Sequence, residues 1–155
     1  MNRNEIQTLL HHRNPYLMID RVDQINEENI DAVKVHSGNE FYVKGHFPNA
    51  PVVPGAMIQE MCTQAAGILI TKHHSPVENY DSEKTKGWAL GVLRKVNYAK
   101  FKSITKADSD ININVKLIEN VDNLFTFKAT VKQSNETKAQ ISFNLANISD
   151  DHLTN

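Results

Sequence analysis

A chain of 155 residues, 40% hydrophobic and 23% charged, is long enough for one domain with a proper core. Its 17 Lys and Arg stand against 18 Asp and Glu, and the formal net charge of -1 excludes a global electrostatic attraction to nucleic acid. The single cysteine, Cys62, excludes an internal disulfide and fits a reducing compartment.

Residues Met1 to Gln7 are polar and lack the apolar centre of a signal peptide, so a cytoplasmic location is expected. Asn4 can cap a short helix through Leu10, with Ile6, Leu9 and Leu10 on one side. Tyr16 to Ile25 and Ile30 to His36 read as strands joined by the polar turn Asn26-Glu27-Glu28-Asn29. A rigid loop then runs from Gly45 through His46, Phe47, Pro48, Pro51 and Pro54 to Gly55, because each proline ring fixes φ and removes a donor. Pro54-Gly55 suits the first turn of a helix, and one long helix is predicted from about Pro54 to Lys72. It is apolar nearly all round, from Ala56, Met57 and Ile58 to Ile68, Leu69 and Ile70, as expected of a helix enclosed by its fold. Its apolar stretch Ala65 to Ile70 is far too short to span a bilayer, so no membrane association is expected.

His73 to Gly87 is polar and contains Pro76; it reads as an exposed loop without a function. Trp88 to Tyr98 is the next expected strand. Ile111, Ile113, Val115 and Leu117 then alternate with polar residues, and Phe125, Phe127, Ala129 and Val131 repeat the pattern, as do Ile141, Phe143 and Leu145. Asp122-Asn123 and Ser134-Asn135-Glu136 mark the turns between them. No repeat or second domain interrupts residues 1–155. One apolar helix among antiparallel strands predicts an α+β fold whose curved sheet wraps the helix, since exposing either partner costs about 25 cal/mol per Å² of apolar area. Such a sheet keeps a free edge, which invites a homodimer.

The chemistry concentrates around the proline-rich loop. His46 is the side chain there that exchanges a proton near neutral pH. Glu60, on an apolar helix, is poorly solvated, and desolvation raises a carboxyl pKa in favour of the acid form. Gln64, four residues on, shares its face and can hold it by a hydrogen bond. The Gly55 N–H at the helix start can donate to a developing oxyanion. Base, acid and oxyanion donor are the parts needed to remove a proton beside a carbonyl and expel a β-hydroxyl. The plainer readings are a structural histidine, and a glutamate paired with Arg or Lys from another element. The adjacent pairs His11-His12 and His73-His74 do not share a face and predict no metal site. Cys62 reads as packing, Asp20-Arg21 as an ion pair, and Arg94, Lys95, Lys100 and Lys102 as a solvated face or a basic patch for an acidic partner.

The run Asn39-Glu40-Phe41-Tyr42-Val43-Lys44-Gly45-His46-Phe47-Pro48, with Pro51, Pro54-Gly55 and Glu60, resembles the β-hydroxyacyl-acyl-carrier-protein dehydratase family of the FabZ type. Leu10-His11-His12-Arg13-Asn14-Pro15-Tyr16-Leu17-Met18-Ile19-Asp20-Arg21-Val22 resembles that family's opening motif, and Ala89-Leu90-Gly91-Val92 through Ala99-Lys100-Phe101 its strand after the helix. The resemblance spans about residues 5 to 148 and implies a hot-dog fold, a homodimer and often a trimer of dimers. It implies His46 and Glu60, 14 positions apart, as catalytic residues contributed by opposite subunits. It further implies Gly55, Phe47, Pro54 and Gln64 as substrate-binding residues, and acyl carrier protein as partner, its phosphopantetheine carrying the substrate. No metal or other cofactor is expected.

The chain also departs from that family. His11 stands at a usual proline, Asn14 at a usual aromatic, and Met61-Cys62-Thr63 at a typical Ala-Met-Ala. Ala107-Asp108-Ser109-Asp110 replaces an expected Pro-Gly-Asp, and the 73–87 loop is long. These changes spare His46, Gly55 and Glu60, and bear on chain-length preference and on whether the pathway is fatty-acid synthesis or a specialised lipid or polyketide-like one. Two rival readings share the fold: a thioesterase, which needs a carboxylate to activate water at the carbonyl, and a non-catalytic acyl or carrier-protein binding module.

Overall fold

The structure, a computed structural model, describes residues 1–85 and 87–153. Lys86, Thr154 and Asn155 lie outside the described residues, so the expected 73–87 loop and the 1–155 domain are described without them.

Helix α1, Arg3–Leu9, is capped by Asn2 rather than Asn4. Asn2 accepts from the Glu5 N–H at 3.1 Å, and the Glu5 carboxylate accepts from the Asn2 N–H at 2.7 Å. This reciprocal pair satisfies two donors that the helix start leaves open, and the Glu5 charge suits the N-terminal dipole. The expected first strand begins later, as β1, Arg21–Ile25. The Tyr16 and Leu17 N–H groups both bond the Arg13 carbonyl, at 2.8 and 3.0 Å, which curls the chain where an extended segment was predicted. Strand β2, Asn29–Lys34, pairs antiparallel with β1. The Asn26 side chain holds the turn by accepting from Glu28 and Asn29 at 2.9 and 2.8 Å.

Helix α2 is Gly55–Leu69, with Pro54 as its N-cap, and it continues as a π-helical turn, Ile70–His74. Strands β3 (Trp88–Phe101), β4 (Ile111–Val121), β5 (Leu124–Gln133) and β6 (Glu136–Ser149) follow, and a 3-10 turn, Asp150–Leu153, closes the described chain. The β4–β5 turn places Asp122 at φ 54°, and the β5–β6 turn places Ser134 and Asn135 at φ 50° and 65°. Asp and Asn tolerate that left-handed region best, which matches their places in the turns.

The six strands form one antiparallel sheet in the order β1-β2-β4-β5-β6-β3. Helix α2 touches β2, β3, β4, β5 and β6, so the sheet wraps it as the α+β reading requires. Ile58 and every residue from Met61 to Leu69 are buried, and the alternating apolar residues of β5 and β6, led by Phe127 and Phe143, close over them. Glycines let β3 and α2 backbones come close: a Cβ on Gly91 of β3 would stand 3.6 Å from the Gly67 Cα of α2. No helix among the described residues is long and apolar enough to cross a membrane.

Two local expectations are corrected. Asp20 pairs with Arg3 and with Lys34 (2.9 Å), while Arg21 turns to Asp23 (2.9 Å) and Asp110 (3.6 Å). Successive side chains on an extended backbone point to opposite sides, so the two neighbours cannot meet. The loop after the π-turn is not merely exposed: Tyr80 is buried, its hydroxyl lies 2.5 Å from His11 Nε2, and the Ser82 N–H and hydroxyl bond the Thr8 and Gln7 carbonyls at 2.9 and 2.5 Å.

Candidate active site

The proline-rich loop is held by its own backbone. His46 N–H donates to Val43 O at 2.9 Å, Val52 N–H to His46 O at 2.9 Å, and Phe47 and Ala50 exchange bonds of 3.1 and 3.0 Å. Val53 N–H ties the loop to Thr105 O, beyond β3, at 2.9 Å. Within this frame His46 Nδ1 lies 3.0 Å from the Val52 carbonyl. A carbonyl only accepts, so Nδ1 carries the hydrogen and Nε2 keeps its lone pair, the tautomer a base requires. Phe47 stands exposed and stacks on the imidazole with centroids 4.4 Å apart.

His46 and Gly55 line one pocket of about 350 Å³, with Val53, Ile58, Phe101 and Thr105 among its walls. Larger hollows of about 620 and 570 Å³ lie elsewhere and contain neither His46 nor Glu60. Gly55 opens α2, so its N–H has no acceptor inside the helix, whereas the Met57 and Ile58 N–H groups reach Pro54 O at 2.9 and 3.1 Å. That puts Gly55, whose N–H has no acceptor within the helix, and His46 on the same cavity. Phe47, Pro54 and Gln64 are not among the residues lining it.

Glu60 lies elsewhere. Five residues beyond Gly55, it is turned roughly 140° around the helix, by the ~100° step per residue, and it does not line the His46 pocket. Gln64 Nε2 donates to Glu60 Oε1 at 2.9 Å and to the Tyr16 carbonyl at 2.8 Å, while Gln64 Oε1 accepts from Met18 N–H at 2.8 Å. The amide is therefore fixed, and it fixes the carboxyl. Burial raises the Glu60 pKa above its ordinary value, opposed by hydrogen-bond stabilisation of the carboxylate from Gln64 and from the Tyr16 hydroxyl. His12 Nε2 lies 3.7 Å from Glu60 Oε1, but burial, with the charges of His11 and Arg13, lowers its pKa and favours the neutral ring. Among the described residues neither Lys nor Arg pairs with Glu60, and no hydrogen bond or ion pair joins it to His46 within the chain.

Sequence reasoning missed Tyr16 and His12 as neighbours of Glu60. The separation of 48 residues between Gln64 and Tyr16 leaves no periodic trace. Cys62 is fully buried, and its thiol is pushed up to about 12, as a packing residue would be. Arg94, Lys95, Lys100 and Lys102 are exposed along and just beyond β3. No cluster of His, Cys, Asp and Glu suited to a metal occurs among the described residues.

The FabA-like domain model matches residues 10–142. A 3-hydroxyacyl-[acyl-carrier-protein] dehydratase FabZ of Petrotoga mobilis is 33% identical over 143 residues, 91% of this chain and 95% of that protein. The protein of the same name from Vibrio campbellii is 37% identical over 138 residues, 88% of this chain and 86% of that one. Among solved structures, the dehydratase heterocomplex ApeI:P from Xenorhabdus doucetiae superposes with a TM-score of 0.78 at 16% identity, covering 96% of this chain and 94% of its own. A hypothetical thioesterase with coenzyme A from Streptococcus pneumoniae TIGR4 gives a TM-score of 0.58 at 11% identity, covering 83% and 85%. Those two similarities establish the hot-dog fold, which serves dehydratases and thioesterases alike. On a family model spanning most of its length and relatives above 30% identity, the chain belongs to the FabA-like family, in the company of proteins named FabZ.

Proposed function

We propose that this protein dehydrates 3-hydroxyacyl thioesters carried on acyl carrier protein to trans-2-enoyl thioesters, in fatty acid or related lipid or polyene biosynthesis in the cytoplasm. The observation that carries the reading is the shared pocket: His46, with Nδ1 committed to Val52 O, and Gly55, the first residue of α2, line one cavity. Nε2 of His46 takes the α-proton. The electron pair left on the α-carbon forms the double bond as the Cβ–O bond breaks, and the Gly55 N–H stabilises the charge passing through the thioester oxygen. The carboxyl proton of Glu60 goes to the departing hydroxyl, which leaves as water. Burial, which favours the protonated carboxyl, prepares Glu60 for that step. No metal or redox group enters this scheme; the phosphopantetheine arm of the carrier brings the substrate.

Within one chain the acid and the base face different ways, which supports a site completed across a homodimer, His46 of one copy meeting Glu60 of the other. The sheet edge offers the surface for it. Among the described residues strand β3 pairs with β6 alone, and Val92, Leu93, Val96, Tyr98 and Phe101 are exposed along it. Further assembly into a trimer of dimers, and docking of the acidic carrier on Arg94, Lys95, Lys100 and Lys102, belong to the same reading. Met61 and Cys62, fully buried on α2, are the positions through which the departures in sequence would act on chain length.

The test is to supply one 3-hydroxyacyl-carrier substrate and follow enoyl absorbance and free thiol together. Enoyl product without thiol is expected. Thiol without enoyl product overturns the reading in favour of a thioesterase, and neither product favours a binding module.

A further inference from the structure

We infer that Gln133 is a positioning residue for His46: its side-chain amide, at the end of β5, holds the strip of chain on which the anchor of that histidine rests. The amide is fully used. Its Oε1 accepts from the Lys106 N–H at 3.0 Å, and its Nε2 donates to the Lys106 and Ser109 carbonyls at 2.9 and 3.2 Å. A side-chain amide offers two N–H hydrogens, and both are engaged here. Gln133 is 4% exposed, so water does not replace a bond that is lost. Residues 106–109 fall between β3 and β4 and carry no proline to stiffen them, so their place depends on these three bonds.

From Lys106 the tie runs to the base through the backbone. Lys106 forms an antiparallel bridge with Val52, and the Val53 N–H donates to Thr105 O at 2.9 Å. Val52 in turn holds His46 at two points. Its N–H donates to His46 O at 2.9 Å, and its carbonyl stands 3.0 Å from His46 Nδ1. A displacement of Lys106 is therefore passed to Val52, and from Val52 to the imidazole. Val52 and Thr105 also line the pocket that contains His46, so the same strip of chain forms part of its wall. The tautomer that leaves Nε2 free to take a proton exists because a carbonyl is fixed beside Nδ1. Gln133 acts on His46 by keeping that carbonyl in place. This rests on the reading of His46 as the base.

Gln133→Glu keeps the size of the side chain and replaces both N–H donors with a carboxylate oxygen facing two carbonyls. Gln133→Leu removes all three bonds. The expected result in each is a kcat about tenfold lower with KM nearly unchanged, since a small misplacement of the base slows proton transfer. The deciding readout is independent of turnover: the nitrogen-15 shifts of the His46 imidazole. In the wild type, at a pH where the ring is neutral, they should show Nδ1 protonated and Nε2 bare. In either variant the two shifts should move towards each other as the tautomers mix. A lower kcat or Tm with wild-type imidazole shifts makes Gln133 merely structural and overturns the inference. So do Gln133 side-chain amide protons that exchange in the wild type as fast as those of an exposed glutamine, a measurement that needs no variant to fold. A wild-type protein without dehydratase turnover would refute the proposed function, while the imidazole shifts still decide the anchor.

Discussion

The ring of Phe101 lies over Gly55 so closely that a Cβ on that glycine would stand 3.1 Å from two of its ring carbons. The end of β3 thereby roofs the start of α2, and both residues line the pocket that contains His46. The proposed oxyanion donor, the Gly55 N–H, sits where only hydrogen fits at the side-chain position beneath this ring.

Gly55→Ala should therefore push the Phe101 ring aside or move the helix start, misplacing the N–H. A loss of about tenfold to a hundredfold in kcat/KM is expected, within the range of a removed oxyanion donor. Phe101→Ala in the same background should recover part of it, because the two residues are in contact and their effects are coupled. Strictly additive effects of the two substitutions would show that the contact does not matter.

His46→Gln removes the basic nitrogen while keeping a side chain able to donate to Val52 O. Turnover should drop by about 10² to 10⁴, the usual worth of a positioned acid–base group, with the circular dichroism spectrum unchanged. Retention of more than a tenth of the wild-type rate would argue for a structural histidine.

The proposed sharing of the site between copies has a direct consequence for mixtures. His46→Ala and Glu60→Ala chains, each inactive alone, should regain about one quarter of wild-type activity when unfolded together and refolded at equal amounts, since half of a random mixture is heterodimer with one intact site in two. Activity that never returns, in a mixture proved to contain heterodimer, would falsify the shared arrangement.

Glu60 also leaves a mark on stability. Its folded-state pKa is raised by burial, so between the ordinary and the raised value the native chain binds the extra proton. The stability this group allows is then full below the ordinary value and declines as pH rises through the raised one. Glu60→Gln removes the decline. Its Tm should match wild type near the ordinary carboxylate value and exceed it by about 2–4 °C, roughly 1 kcal/mol, at neutral pH and above. A Tm difference that does not change with pH would sink this prediction.

Much of the fold was legible before any coordinates. The alternation through Ile111–Leu117, Phe125–Val131 and Ile141–Leu145 marks three strands because a half-buried sheet repeats every two residues. The apolar run of α2 is as plain for the opposite reason, a helix covered on every side. Boundaries suffered where contacts outweigh local preference. Leu17, Met18 and Ile19 are apolar enough for a strand, yet all three are buried in a curled segment ahead of β1. The capping residue was misread because Asn2 and Asn4 are equally suited by type, and the reciprocal bond with Glu5 decides between them.

The candidate site divides along the same line. The order His46, Gly55, Glu60 is local, and a rigid loop followed by a helix start places these residue types close along the chain, so the amino-acid sequence by itself determined which groups stand as candidates for base, oxyanion donor and acid. Only the tertiary structure decided their company: Phe101 over Gly55, Val52 O on His46, and Tyr16 and His12 against Glu60. Three of those four contacts join residues more than 40 positions apart, brought together by burial of the helix and its sheet, which leaves no local pattern along the chain.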